Sequence, residues 1–261
     1  MALQFAKYQG TGNDFIMLDN THGAHDNLST AVISALCDRK FGIGADGLIA
    51  LKSHNTLDFE VVYYNADGTQ SFCGNGARCA VAFAHTLGLL TNPHTKFMAI
   101  DGPHEAWLCQ EEVRLKMANV APIVVLENGY EVQTGSPHFI LEDTNHHTSH
   151  VVEVGRHIRY NDTYQKEGIN VNLMAIHDNH IQVATYERGV EDETLSCGTG
   201  VTAAALVFAQ LQKISSGKVQ VQTKGGDLMV EWQQQNDLSF SKVFLTGPTK
   251  HVYNGTYELK G

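Results

Sequence analysis

No apolar run in this chain of 261 residues approaches the roughly 20 residues of a membrane span, so no spanning helix is expected. Clusters of Lys and Arg are also missing, and the formal net charge is −10. Both facts argue against nucleic acid as the main partner, because binding a phosphate backbone depends on gathered cations. The opening MALQFAKYQGTGND has neither the basic start nor the apolar core of a secretory signal, which makes the cytoplasm the expected compartment. There is no C-x-x-C pair, and the five cysteines, at 37, 73, 79, 109 and 197, make an odd count. Neither a zinc knuckle nor a disulfide framework is indicated, and reduced thiols are expected. Cys37, Cys79 and Cys109 read as small buried hydrophobes.

What remains is an ordinary globular composition, 43% hydrophobic and 18% charged, at a length that suits one large domain or two of common size. β-rich stretches lie at 3–9, 13–18, 57–65, 95–100, 105–109 and 112–117, and again at 130–135, 138–141, 169–175, 180–187, 218–223, 228–232 and 242–247, and apolar and polar residues alternate in several of them. These read as strands with one wet face. Helical signals are fewer. Ser29 or Thr30 is placed to cap a helix running through Arg39, and residues 151–159 suit a shorter one. Two Ala-rich segments, 76–87 and 200–213, read as helices ending at Gly88 and near Gly217.

Each of those two helices follows a Cys-Gly-x-Gly turn: SFCGNGARCA at 71–80 and LSCGTGVTAA at 195–204. Strands, then the turn, then a helix occur once in each half, which reads as an internal duplication. The expected division is 1–117 plus about 250–261 around Cys73, and 118–249 around Cys197. A cysteine at a helix N-terminus sits beside unpaired backbone N–H groups and the positive end of the helix dipole. That placement lowers a thiol pKa from about 8.5 into roughly the 3.5 to 7.5 range. The neighbouring glycines let a ligand carboxylate approach several amides. Two such thiols on opposite faces of an amino-acid α-carbon would invert it, one removing the proton and the other returning one. The converging amides would spread the carbanion's charge over the carboxylate. A structural duplication without catalysis is the competing reading.

Five motifs, in this order, then carry a resemblance: GTGNDF (10–15), YNADG (64–68), FCGNGARC (72–79), YERG (186–189) and SCGTG (196–200). With the tail GPTKHVYNG they make the chain, over nearly its whole length, resemble diaminopimelate epimerases. The resemblance implies an α/β (α+β) fold of two pseudo-symmetric domains, each mostly antiparallel strands wrapped around a central helix, with the site in the cleft between them. It implies cofactor-independent interconversion of LL- and meso-2,6-diaminopimelate, without metal, in lysine and peptidoglycan precursor synthesis. By resemblance, Cys73 and Cys197 are the base and acid, and Gly74, Asn75, Gly198 and Thr199 offer groups to the reacting carboxylate. Asn13 contacts the reacting end, while Asn65, Asn170 and Arg188 hold the distal centre. Glu187 is expected near Cys197 and His138 near Cys73, each helping to move or hold a thiol proton. The expected partners are a small amino-acid substrate and, in solution, a second copy of the chain.

Two departures bear on substrate contacts. Ser136 precedes Pro137-His138 where many members have Asn, and Gly47 stands where some have Gln, leaving Asp46 or a backbone group to substitute. Other readings are weaker. GIGADG at 42–47 matches G-x-G-x-x-G, but a helix end precedes it and the strand-like LIALK follows, which is the wrong order for a dinucleotide fingerprint. TNHHTSH at 144–150 clusters histidines without a carboxylate or cysteine to complete a ligand set. A cysteine hydrolase has no use for a second matched thiol. A non-catalytic amino-acid-binding module gains nothing from either thiol, and a racemase with another substrate would keep both and change the distal pocket.

Overall fold

The computed structural model describes residues 2–144 and 148–259. The chain divides into two units, Met1–Leu115 with Gly247–Gly261, and Lys116–Thr246. The first begins with β1 (Ala2–Gly10) and β2 (Asn13–Asp19), then α1 (Thr30–Cys37), β3 (Gly47–Lys52), β4 (Phe59–Asn65) and α2 (Gly74–Thr86). It continues through β5 (His94–Ala99), β6 (Gly102–Cys109) and β7 (Glu112–Lys116). The second holds β8 (Val124–Leu126), β9 (Gly129–Gln133), β10 (Pro137–Glu142), α3 (Val151–Arg159), β11 (Asn170–Ile176), β12 (His180–Glu187) and β13 (Asp192–Thr194). α4 (Gly198–Leu211), β14 (Ser216–Thr223), β15 (Gly226–Gln234) and β16 (Phe240–Pro248) complete it, and β17 (Lys250–Glu258) returns to the first unit to pair with β1.

The duplication is visible in the pairing senses. In the first unit β1–β2 is antiparallel, β2–β3 parallel across α1, β3–β4 antiparallel, β4–β5 parallel across α2, and β5–β6 and β6–β7 antiparallel. In the second unit β9–β10, β10–β11, β11–β12, β12–β14, β14–β15 and β15–β16 repeat that series, with α3 and α4 at the two parallel steps. At each of these parallel steps a helix supplies the crossover, as chain geometry requires. The fold is thus α+β, mostly antiparallel, with two helices in each unit among the described residues.

α2 and α4 are buried almost all round, and their small residues make this feasible. Ala77, Cys79, Ala80, Val81 and Ala84 of α2, and Ala203, Ala204, Ala205, Leu206 and Val207 of α4, are nearly inaccessible. A helix apolar on every face belongs inside a domain. α4 is the middle of a core that includes Ile140, Val183, Val221 and Leu228 from the surrounding strands. The first unit packs Leu3, Ile16, Leu18, Leu48 and Ala50 against α1 through Ile33 and Leu36.

The helix ends differ from expectation for local reasons. α1 is capped by Ser29, whose side chain accepts from Val32 N, and stops at Cys37 rather than Arg39. Asp38 leaves the helical region there, and its carboxylate accepts from Lys40 N and Phe41 N, closing a turn instead. α2 and α4 each start two residues earlier than expected, because Cys73 and Cys197 are themselves the N-caps. α2 ends at Gly88 (φ +73) with Leu89 N bonded to Ala84 O, a Schellman closure. α4 closes the same way with Lys213 (φ +55) in the glycine's place and Ile214 N bonded to Ala209 O, while Gly217 lies in β14. Cys109 is exposed rather than buried, because it ends β6 at a hairpin whose next residue, Gln110, has positive φ. Three strands were not expected: β8, whose residues are all exposed, β13, and the polar β17, where Gly255 admits the Phe5 ring (a Cβ would lie 2.5 Å from it).

Candidate active site

In the first unit Cys73 has extended backbone (φ −131°, ψ 114°), and its Sγ accepts from Gly76 N at 3.4 Å at the start of α2. A Cβ on Gly74 would meet nothing within 4 Å, whereas one on Gly76 would press on Ile49 at 3.1 Å. Gly76 is a packing glycine, and Gly74 leaves backbone bare toward open space. Asn13 Nδ2 donates to Asp46 Oδ2 at 2.6 Å, which turns Oδ1 toward Cys73 Sγ and Asn75 Nδ2, each at 3.5 Å. Asp46 is in turn held by Arg39, which bridges it and Asp14. Burial alone would raise the Asp14 carboxyl, but the Arg39 and Lys7 charges outweigh it and hold its pKa at about 2. Arg78, fully buried one turn further along α2, donates through Nη2 to Thr11 Oγ1 at 3.2 Å in the β1–β2 turn.

In the second unit Cys197 is also extended (φ −113°, ψ 108°) and nearly buried, but its sulfur makes no cap bond; Sγ lies 3.5 Å from Thr199 Oγ1. Neighbouring strands bring the rest together. β10 carries His138, β11 Asn172, and β12 Thr185 opposite Asn172. His138 Nε2 is 2.9 Å from Thr199 Oγ1 and Nδ1 is 3.1 Å from Asn172 Nδ2. Its Nε2 bond therefore goes to the Cys197 turn and its Nδ1 bond to β11. Burial, reinforced by the Arg188 charge, depresses its pKa to about 3, so the ring is neutral throughout the working range. Thr134 Oγ1 donates to Thr199 O at 2.8 Å and steadies the same turn.

The distal residues are already partnered inside their own units. Asn65 donates to Thr69 Oγ1 at 3.0 Å and accepts from Ser71 Oγ at 3.2 Å. Asn170 donates to Pro137 O at 3.1 Å and accepts from Arg188 N at 2.9 Å, while Arg188 Nη1 donates to Glu167 O at 3.0 Å. A small ligand would not orphan these amides, so their presence alone does not select a long substrate. Glu187 ends β12 on the same face as Thr185, two residues away. Gly47 is forced: a Cβ there would lie 2.4 Å from the Tyr63 ring and 2.6 Å from Tyr64 O, and Asp46 supplies the polar group beside Asn13. GIGADG is followed by β3, not by a helix. His146 and His147 of the histidine cluster lie outside the described residues, among which no group of His, Cys, Asp and Glu is arranged to hold a metal. No helix among them is long and apolar enough to cross a membrane.

The family model for diaminopimelate epimerase matches residues 5–121 and 130–252. The chain belongs to the diaminopimelate epimerase family. The diaminopimelate epimerase of Flavobacterium psychrophilum is 45% identical over 257 residues, 97% of this chain and 100% of that protein. That of Chlorobaculum tepidum is 43% identical over 260 residues, 96% of this chain and 99% of the relative. Among solved structures, a phenazine biosynthesis protein of the PhzF family from Bacillus anthracis superposes with a TM-score of 0.76 at 10% identity, covering 99% of this chain and 100% of that one. A probable proline racemase from Agrobacterium radiobacter K84 gives 0.69 at 15% identity, over 99% and 93%. At such identities these two establish the fold alone.

Within this diaminopimelate epimerase family member, sequence reasoning missed Asn172 and Thr185. The signal was present: each stands two residues from a chosen residue on the same strand, Asn170 and Glu187, and period-two alternation puts the pairs on one face. Arg78, inside the FCGNGARC motif, is fully buried, which its charge gave no reason to expect.

Proposed function

We propose that this chain interconverts LL- and meso-2,6-diaminopimelate without a cofactor, Cys73 and Cys197 acting as base and acid on one α-carbon and exchanging roles with direction. The observation that carries the reading is the equivalence of the two cysteines. Each is the N-cap of the central helix in one copy of a duplicated topology, beside amides that the helix leaves unpaired. Inversion needs two proton-transfer groups, one on each face of the carbon, and duplication supplies a matched pair. Gly74, Asn75, Gly198 and Thr199 would hold the reacting carboxylate, with Asn13 beside it. The family membership and the curated relatives support the substrate. Asn65, Asn170, Glu187 and Arg188 are proposed for the distal centre and the Cys197 proton.

The thiolate removes the α-proton and becomes a thiol; the opposite thiol gives its proton to the carbanion and becomes a thiolate, so charge and protons balance. Helix-end amides lower the cost of the intermediate by meeting the charge that moves onto the carboxylate. The free cysteines suit a reducing cytoplasm, which is proposed as the compartment. A homodimer is proposed on the exposed Val252 and Tyr253 of β17 and is read by sedimentation. The reaction is tested by incubating the protein with LL-diaminopimelate in heavy water. Deuterium at an α-carbon of a meso product supports the reading, and absence of exchange overturns it.

A further inference from the structure

Asn172 and Thr185 have no part in the chemistry above, yet both are buried beside it, Asn172 completely. Asn172 Nδ2 faces the Phe139 carbonyl at 3.2 Å and His138 Nδ1 at 3.1 Å, while Oδ1 faces Thr185 Oγ1 at 2.8 Å. A backbone carbonyl only accepts, so the amide nitrogen must be the atom that points to Phe139. The second hydrogen of that nitrogen then goes to His138 Nδ1, which must be an acceptor. The imidazole's one proton is therefore on Nε2, directed at Thr199 Oγ1 2.9 Å away. A hydroxyl that accepts on that side has its own hydrogen to give, and Cys197 Sγ is 3.5 Å from it. Gly200 is glycine because a Cβ there would lie 2.3 Å from Asn172 Oδ1, so the helix start is cut to let this amide in.

We propose that Asn172 and Thr185 are positioning residues that fix the direction of a hydrogen-bond chain, Thr185 to Asn172 to His138 to Thr199, whose last O–H is donated to the Cys197 sulfur and favours its thiolate. The chain moves no proton of its own; it sets which way each bond points. His138 is then a tautomer-locked donor rather than an acid or base. The two thiols are tuned differently: Cys73 receives a backbone N–H from Gly76, and Cys197 receives a side-chain hydroxyl. The inference rests on the proposed reaction for the meaning of the Cys197 thiolate, but its test uses no substrate.

The test is NMR of protein labelled with 13Cβ-cysteine and 15N-histidine, titrated against pH. In the unaltered chain the His138 signals should be those of a neutral ring protonated on Nε2. Thr199→Val should raise the Cys197 midpoint by about one pH unit while Cys73 stays in place, and Thr199→Ser should restore it. Asn172→Asp, which accepts where Asn donates, should move the His138 proton to Nδ1. An unaltered chain protonated on Nδ1, or a Cys197 midpoint unmoved in Thr199→Val, overturns the inference. Should Asn172→Asp fail to fold, those two readings still decide it. Failure of heavy-water exchange would sink the reaction and leave these readings as they are.

Discussion

At the scale of single residues, the buried neutral His138 makes a stability prediction with a definite sign. Its folded pKa, about 3, lies below the ordinary value near 6.5, so between those limits the unfolded chain binds a proton that the folded chain does not. Stability is then unaffected by this group above about pH 6.5 and falls as pH drops from there toward 3, by up to about 1.4 kcal/mol per pH unit. Urea unfolding of the native chain and of His138→Gln should show the pH 7.5 to 5.5 loss shrinking in the variant; equal losses would count against burial of a neutral ring. Gly200→Ala is expected to weaken the protein and to disturb the His138 tautomer, because the added carbon meets Asn172 Oδ1. Gly47→Gln is expected to cost stability as well, since the obstruction includes the Tyr64 carbonyl. The two thiols were legible in sequence because a cysteine before a glycine-flanked helix start is an unusual local pattern. Asp46 entered only as a substitute for Gln, and its bond to Asn13 depends on the loop that Arg39 folds back, which is long-range information.

At the scale of elements, helices were read well where small residues and caps spoke together, and their ends were missed where the cap was an uncommon residue. Cys73 caps α2 with a sulfur, and Lys213 closes α4 in a conformation usually given to glycine. The second case yields a prediction: Lys213→Gly should raise stability by a few tenths to about 1 kcal/mol by relieving the left-handed backbone, and Gly88→Ala should lower it by a similar amount. Thermal unfolding of the pair gives opposite shifts if the closures are as described. Leu206, inaccessible inside the α4 core, should cost about 2–5 kcal/mol when replaced by Ala. β17 was illegible as a strand because its side chains are mostly exposed; its pairing with β1 is set by backbone bonds and by Phe5 crossing Gly255.

At the scale of the molecule, the duplication explains why one chemistry appears twice. The same series of parallel and antiparallel neighbours runs through both units, and at its second parallel step each time a cysteine stands at the start of the buried crossover helix. Sequence exposed this through ten residues around each thiol, while the strands of the two halves share no comparable motif and only topology equates them. The copies have since diverged around the sulfur: Asn13 and Gly76 N attend Cys73, and Thr199 with His138 behind it attends Cys197. The central claim is that both thiols are required for one inversion. The most direct measurement is α-deuterium incorporation from heavy water into LL-diaminopimelate by the native chain, by Cys73→Ser and by Cys197→Ser. The expected result is deuterated meso product from the native chain and loss of turnover by orders of magnitude in each variant; inversion that persists in either variant, or that retains the substrate's α-hydrogen, would contradict it.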